Sequence, residues 1–280
     1  MTEENVYQVY AIQYAYRSDR KRYETFITNA WTDPLHDSDQ PISYYVWAIV
    51  NAERTLVIDT GFDAAEAERR RRESGEIWCP ELKCRPAEGL SMIGVDASHV
   101  ADVIVTHLHF DHAGTLDAFP EARFHLQEKE MQFATGPCMA NSYFNGAYTV
   151  DHVVDMVRNV YKGRVAFQAG DAEIAPGIFV HYIGGHTMGV QCVRVRTRRG
   201  WLVLASDASH MYDNFETMAP YPIVADVAEM LRGFERLKVL ADGPGHIIPG
   251  HDPLVMARYP DARPTHPGIR TQMTPLCRKS

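Results

Sequence analysis

Apolar and polar positions alternate through the first part of the chain. In "VYQVYAIQYA" (6–15), "YYVWAIV" (44–50) and "RTLVIDTG" (54–61), Val, Ile, Tyr and Trp recur between polar turns, which predicts three strands. The polar connection from Arg17 to Pro41 is long for a link between strands, and connections of that length usually carry function, so it is expected to border a site. "DAAEAERRRRE" (63–73) consists of helix formers behind an acid and predicts a helix, with "RPAEGLSMIG" as a second, shorter one. The Arg69 to Arg72 run has acids on both sides and reads as a solvated helix face. "VADVIVTH" is a nearly continuous apolar strand, "HAGTLDAF" suggests a helix, "RFHLQ" a strand and "VDHVVDMVRNVY" an amphipathic helix. Three strands follow in "GIFVHYIGG", "QCVRVRT" and "GWLVLASD", then a helix over Asp226 to Ala241 and a last short strand in "HIIPGH". Two blocks of strands, each followed by helices, suit two sheets packed face to face with helices outside, in a single α/β domain over 1–280. The tail, 253–280, contains Pro253, Pro260, Pro264, Pro267 and Pro275 without periodicity, and is expected to run over the surface or onto a partner subunit.

Composition narrows the function. With 45% hydrophobic and 23% charged residues, the 280-residue chain has the balance of a soluble globular protein. A net charge of -8 repels a bare polyanion, so no nucleic acid partner is expected. No apolar run approaches the roughly 20 residues that span a bilayer. The start "MTEENVYQVY" lacks the order of a signal peptide, so the expectation is a cytoplasmic protein with no membrane partner. Five cysteines without a CxxC pair read as ordinary buried thiols, and a Cys79–Cys84 disulfide is disfavoured.

The chemistry is concentrated in "THLHFDHAG", where His107, His109, Asp111 and His112 fall within six positions at the end of an apolar strand. Residues two apart in an extended segment point the same way, so His107, His109 and Asp111 can converge while His112 faces a neighbouring point. Clustered, partly buried imidazoles without a metal would meet large desolvation and repulsion costs, so metal binding is the reading. Further ligands are expected at other strand ends: His186 in "GGHT", Asp207 in "LASDAS" and His251 in "IPGHDP". His36, His99, His125, His152, His181, His246 and His266 lack that context and are read as structural or surface residues.

In this order, "THLHFDHAG", "GGHT", "SDAS" and "PGHDP", with "VIDTG" at Asp59, resemble the metallo-β-lactamase superfamily from about Tyr44 to Asp252. The resemblance implies a four-layer αββα sandwich of two mixed sheets, with metals at one edge between them. It implies that His107, His109 and His186 hold one metal, that Asp111, His112 and His251 hold a second, and that Asp207 bridges both. Asp59 would orient ligands from behind. Mostly imidazole ligands with carboxylates suit two divalent ions, Zn2+ foremost. Two such ions can share a hydroxide that attacks a carbonyl, with Asp207 passing the proton to the departing alkoxide.

Within the superfamily, His109 stands where di-iron reductases generally have Glu, and Asp207 where true β-lactamases generally lack a bridging acid. Only 29 residues follow His251, too few for the helical domain of the glyoxalase II type. The quorum-quenching lactonase branch resembles the chain best, which implies a lactone hydrolase whose substrates include N-acyl homoserine lactones. The alternatives are hydrolysis of another ester, catabolic lactone or thioester, and a metal-binding member without turnover. Those lactonases typically carry Tyr three residues after the bridging Asp; here it is His210, which can also donate a hydrogen bond or proton, with Tyr212 as a nearby substitute. Asp111 and His210 join Asp207 as expected catalytic residues. Phe110 resembles an aromatic that borders the lactonase site, and Met139, Tyr143, Phe144 and Tyr148 of "GPCMANSYFNGAY" offer apolar surface for a pocket. Analogy also implies a homodimer.

Overall fold

Burial explains why the first strands hold their register. In the computed structural model, which describes residues 5–27, 32–259 and 269–271, β1 (Gln8–Arg17) pairs antiparallel with β2 (Ile42–Val50), eight of whose nine residues are buried. Asn51 accepts hydrogen bonds from the Glu53 and Arg54 amides, turning the chain from β2 into antiparallel β3 (Thr55–Ile58). The short β4 (Glu81–Leu82) pairs with β1. From β3 the sheet continues in parallel through β5 (Asp102–Ile104), β6 (Arg123–Gln127) and β7 (Val165–Gln168). The second sheet is an antiparallel run of β8 (Ala172–Ala175), β9 (Ile178–Tyr182), β10 (Gln191–Thr197) and β11 (Gly200–Ser206), with β12 (Ile247–Pro249) parallel to β11. A final strand, β13 (Ile269–Thr271), returns to the free side of β1.

The helices are α1 (Ala64–Glu73), α2 (Pro86–Ser91), α3 (Glu128–Ala134), α4 (Ser142–Asn145), α5 (Val150–Tyr161), α6 (Tyr212–Glu216), α7 (Val227–Leu240) and α8 (Leu254–Arg258). Asp63 and Asp226 cap α1 and α7 by accepting from the Glu66 and Glu229 amides, both at 2.8 Å. Tyr45, Trp47, Ile49 and Ile104 of the first sheet share one core with Val193, Val195 and Leu202 of the second and with Met230, Phe234 and Leu237 of α7. Val46, Ala48, Val57, Val103 and Phe124 face the other way, onto Leu90 of α2 and Val153 and Met156 of α5. Each sheet is therefore covered by the other on one face and by helices on the opposite face, which gives the expected αββα sandwich.

Several expectations need correcting. "HAGTLDAF" forms only a single turn, Leu116–Ala118, because the preceding backbone is pledged elsewhere: Thr60 N–H donates to His112 O and Gly114 N–H to Gly61 O. Edge strands β7 and β8 were not foreseen; their residues are mostly half-buried and give little alternation. The tail contributes α8 and a strand paired within its own chain; the remainder of 260–280 lies outside the described residues. Among the described residues only Cys192 is a buried thiol, pushed up to about 12 by burial, whereas Cys79 and Cys138 are exposed and Cys84 half-buried, all free. Arg70 is no solvated helix residue: it lies over the Phe110 ring at 3.7 Å and donates to Gly146 O and Tyr148 O.

Candidate active site

Four strand ends and one turn meet at one edge of the sandwich. His107 to His112 follow β5, Asp59 follows β3, His186 sits between β9 and β10, Asp207 follows β11 and His251 follows β12. Asp59 has a left-handed backbone (φ 59°), which Asp tolerates better than most residues, and this turns its carboxylate under the histidine loop. Its Oδ1 accepts from the Thr106 amide at 2.7 Å, and its Oδ2 accepts from Thr106 Oγ1 at 2.8 Å and from His112 Nδ1 at 2.7 Å. His186 Nδ1 donates to Ile223 O at 2.7 Å, and His251 Nδ1 donates to Ser43 O at 2.8 Å. With Nδ1 fixed from behind, His112, His186 and His251 each turn Nε2 inward.

Glycine makes one of these approaches feasible. A Cβ on Gly250 would stand 2.7 Å from Ser206 C and O and 3.0 Å from Asp207 Oδ1, so a larger residue would push the β12 turn away from Asp207. A second support is Glu130 of α3, which sequence reasoning missed. Fully buried, its carboxylate accepts from Leu108 N (2.9 Å), Tyr148 Oη (2.8 Å) and Thr187 Oγ1 (2.6 Å), bracing the two histidine loops against one another. Burial pushes its carboxyl above the ordinary range, and those three donors hold it back.

Around Asp207 the imidazoles divide by oxygen. Oδ2 faces His210 Nε2 at 2.9 Å, His186 Nε2 at 3.1 Å and His107 Nε2 at 3.7 Å, while Oδ1 faces His251 Nε2 at 2.8 Å and His112 Nε2 at 3.3 Å. His109 Nδ1 lies 2.9 Å from His186 Nε2, and Asp111 Oδ2 lies 3.5 Å from His112 Nε2 and 3.7 Å from His251 Nε2. Donor atoms of His107, His109, His186 and Asp207 lie within 4.8 Å of one another, as do those of Asp111, His112 and His251, and those of Asp207, His210 and His251. The seven sequence-nominated ligands thus come together, and His210 joins them. His107 Nε2 and His112 Nε2 are buried without a hydrogen-bond partner among the described residues, the condition a metal ion would relieve.

The electrostatics follow from this crowding. Burial and the neighbouring imidazoles hold His107 and His109 far below the usual histidine range. Burial also opposes charge on His112 and His251, yet Asp207 and Asp111 outweigh it and raise both. Asp207 would be raised by burial, but His210, His251, His112 and His186 pull it well below the carboxylate range. Burial lowers His210 to about 3 against the pull of Asp207, so its ring is neutral.

The cluster opens into a cleft of about 360 Å³. Phe110 and His210 line it, beside Tyr44, Trp78 and Tyr221. Tyr212, Met139, Tyr143 and Phe144 do not. The Tyr212 amide is anchored on Asp252, and its ring turns into the core between Phe215 and the Arg258 guanidinium. Tyr143 donates to Pro222 O and Val224 O, Phe144 packs edge-on against Phe133, and Met139 rests on the outer core. Tyr148 instead serves Glu130. The cleft gains Arg17, Arg20 and Glu24 from the long connection that sequence had marked as bordering a site. Roomier depressions run along 53–56 and 94–102, but among the described residues they gather no metal-type cluster, so volume alone does not locate the site.

Residues 39–251 match the metallo-beta-lactamase superfamily. The chain belongs to that superfamily. It is 25% identical over 234 residues to the N-acyl homoserine lactonase AttM of Azorhizobium caulinodans, covering 78% of this chain and 84% of that protein. It is 29% identical over 218 residues to an N-acyl homoserine lactonase of Bacillus cereus, covering 74% and 81%. In fold it is similar to an N-acyl homoserine lactone hydrolase solved with the product N-hexanoyl-L-homoserine at its catalytic metal centre, with a TM-score of 0.71, 22% identity and coverage of 89% and 94%. Family, fold and His/Asp cluster together make this superfamily member a metal-dependent hydrolase.

Proposed function

We propose that the protein opens the ring of a small lactone, using two divalent ions, Zn2+ foremost. The observation that carries this is the division of imidazoles between the two oxygens of Asp207. On this assignment His107, His109 and His186 would hold one ion and Asp111, His112 and His251 the other, with Asp207 between the two sets. Such a pair supplies Lewis acidity that activates water and polarises the ester carbonyl.

The chain's own residues do the rest. Asp207, flanked by five imidazoles, stays ionised and is placed to carry a proton to the departing alkoxide oxygen. His210 donates through Nε2 to Asp207, which leaves Nδ1 of the neutral ring as an acceptor; it orients Asp207 and takes a hydrogen bond from substrate. The hydrogen bond donor expected of His210 must therefore come from another residue of the cleft. Tyr44, Trp78 and Phe110 provide aromatic faces for a ring-sized substrate and exclude water from it.

The relatives' names favour N-acyl homoserine lactones within this class; another ester, catabolic lactone or thioester is the second reading, since the ligand set serves any activated carbonyl. Proton release by the metal-loaded protein against acyl homoserine lactones, simple lactones, a thioester and a phosphodiester separates them. Lactone turnover that falls at least a hundredfold in Asp207→Asn is expected; turnover of the phosphodiester alone would refute the assignment. A soluble cytoplasmic homodimer is part of the same reading: no helix among the described residues is long and apolar enough to cross a membrane, and sedimentation as a monomer at micromolar concentration would refute the dimer.

A further inference from the structure

The connection between β1 and β2 brings two guanidinium groups to a cleft that also holds a hydrolytic cluster. Arg17 and Arg20 both line it, with side chains only 8% and 6% exposed. Arg20 Nη2 donates to Glu24 O at 2.6 Å and to Tyr221 Oη at 3.0 Å. Its Nε lies 3.7 Å from Glu24 Oε1, its Cζ lies 5.7 Å from the centre of the Tyr221 ring, and Nη1 is buried with no hydrogen-bond partner among the described residues. Arg17 gives Nε to Asp19 at 2.7 Å and holds Nη1 3.7 Å from the same Glu24 oxygen. One carboxylate oxygen thus serves two cations, both at long distance, and Asp19 is 56% exposed, where water screens it.

A buried guanidinium nitrogen with free N–H groups is costly unless a ligand completes it, and the group that matches its planar fork is a carboxylate. We infer that the cleft selects a lactone that carries a second, free carboxylate, and that Arg20, supported by Arg17, is the specificity-determining residue that reads it. The inference rests on the lactonase reading and departs from its N-acyl homoserine lactone form, whose substrates carry no free carboxylate. The ester carbonyl lies at the His/Asp cluster and the free carboxylate on Arg20. A neutral lactone leaves Nη1 unpaired, and a site built to hydrogen-bond a group discriminates strongly against a substrate that lacks it. The small cleft volume agrees, since about 360 Å³ lies near the lower end of ligand pockets, which run from ~300 to 1,000 Å³.

The test compares γ-butyrolactone-γ-carboxylate with its carboxamide on the metal-loaded protein, as kcat/KM for wild type, Arg20→Gln and Glu24→Gln, alongside calorimetric titration with glutarate, which cannot be hydrolysed. Wild type should prefer the carboxylate by about tenfold or more, the cost of one unmatched hydrogen-bonded group. Arg20→Gln should bring the ratio to about one, through the KM of the carboxylate, and weaken glutarate by a similar factor. Glu24→Gln, which keeps an oxygen for the Lys21 amide but removes the competing charge, should raise the ratio, a sign that mere structural damage would not give. Equal turnover of both lactones by wild type overturns the inference and leaves the lactonase reading standing. If neither these lactones nor the N-acyl homoserine lactones are hydrolysed the lactonase reading falls, and glutarate decides the subsite: binding that Arg20→Gln abolishes supports it, binding that is absent or unaffected overturns it. Should Arg20→Gln fail to fold, an unchanged or lowered ratio in Glu24→Gln overturns it.

Discussion

Asp59→Asn isolates the tautomer of His112 from everything else at the site. The substitution keeps volume, and Asn tolerates the left-handed backbone at φ 59°, so the turn after β3 should survive. Asn Oδ1 still accepts from the Thr106 amide, and the Thr106 hydroxyl can accept where it formerly donated. His112 Nδ1 is different. At 2.7 Å from an amide nitrogen it either loses its partner or becomes an acceptor, which moves its proton to Nε2, the atom nominated as a metal ligand. What is lost is one buried, charge-assisted hydrogen bond, about 1.5–3 kcal/mol. At about 1.4 kcal/mol per tenfold, that is roughly 10- to 100-fold in affinity for the ion held by Asp111, His112 and His251. Competition between a chromophoric chelator and the metal-free protein measures this directly, while thermal melting of the same metal-free samples checks the fold. Affinity within twofold of wild type for both ions, with an unchanged melt, would refute the argument that Asp59 sets His112.

Two predictions concern stability. Glu130→Leu strands three buried donors, Leu108 N–H, Tyr148 O–H and Thr187 O–H, and should cost the metal-free protein about 3 kcal/mol or more in urea unfolding, against about 1 for Glu130→Gln; equal costs would show that the carboxylate is not the brace. The buried Glu66 carboxylate would be raised by its burial, but Arg69, Thr149 and Arg70 hold it down at about 2, against 4.5 ordinarily. A depressed folded value contributes stability above the unfolded value and loses it as pH falls through the folded one. The gap between wild type and Glu66→Gln, about 2 kcal/mol after solvent screening, should thus be full above about pH 5 and close towards pH 2; a gap independent of pH would sink it.

The residues of the His/Asp cluster were legible because each follows an apolar strand, a context that sequence records. Tyr212 was misjudged because proximity in sequence to Asp207 says nothing of direction: the start of α6 is fixed by Asp252, and the ring swings into the core. Glu130 left no trace, since "QEKEMQF" reads as an ordinary polar helix start and only the tertiary fold turns that one acid inward. Arg17 and Arg20 were equally invisible as individuals. The length of their connection was the sole signal, and it pointed to the right segment without saying which side chains would be drawn into the cleft.

His210, Tyr221 and Arg20 form one connected unit, in which a histidine stands where the family resemblance leads to the expectation of tyrosine. The His210 ring lies flat on Tyr221, centroids 3.4 Å apart and planes 5° apart, so neither can rotate without the other. Tyr221 Oη accepts from Arg20, which leaves its own proton free to donate. The donor missing from His210 is thus restored one ring away, on a residue that lines the same cleft and is fixed by the guanidinium argued to read the substrate's carboxylate. Recognition of the acid and donation to the substrate are then coupled through a single arginine. Arg20→Gln should therefore lower kcat on the carboxylate and the carboxamide alike, because Tyr221 loses the contact that fixes its hydroxyl, while the change confined to the carboxylate appears in KM.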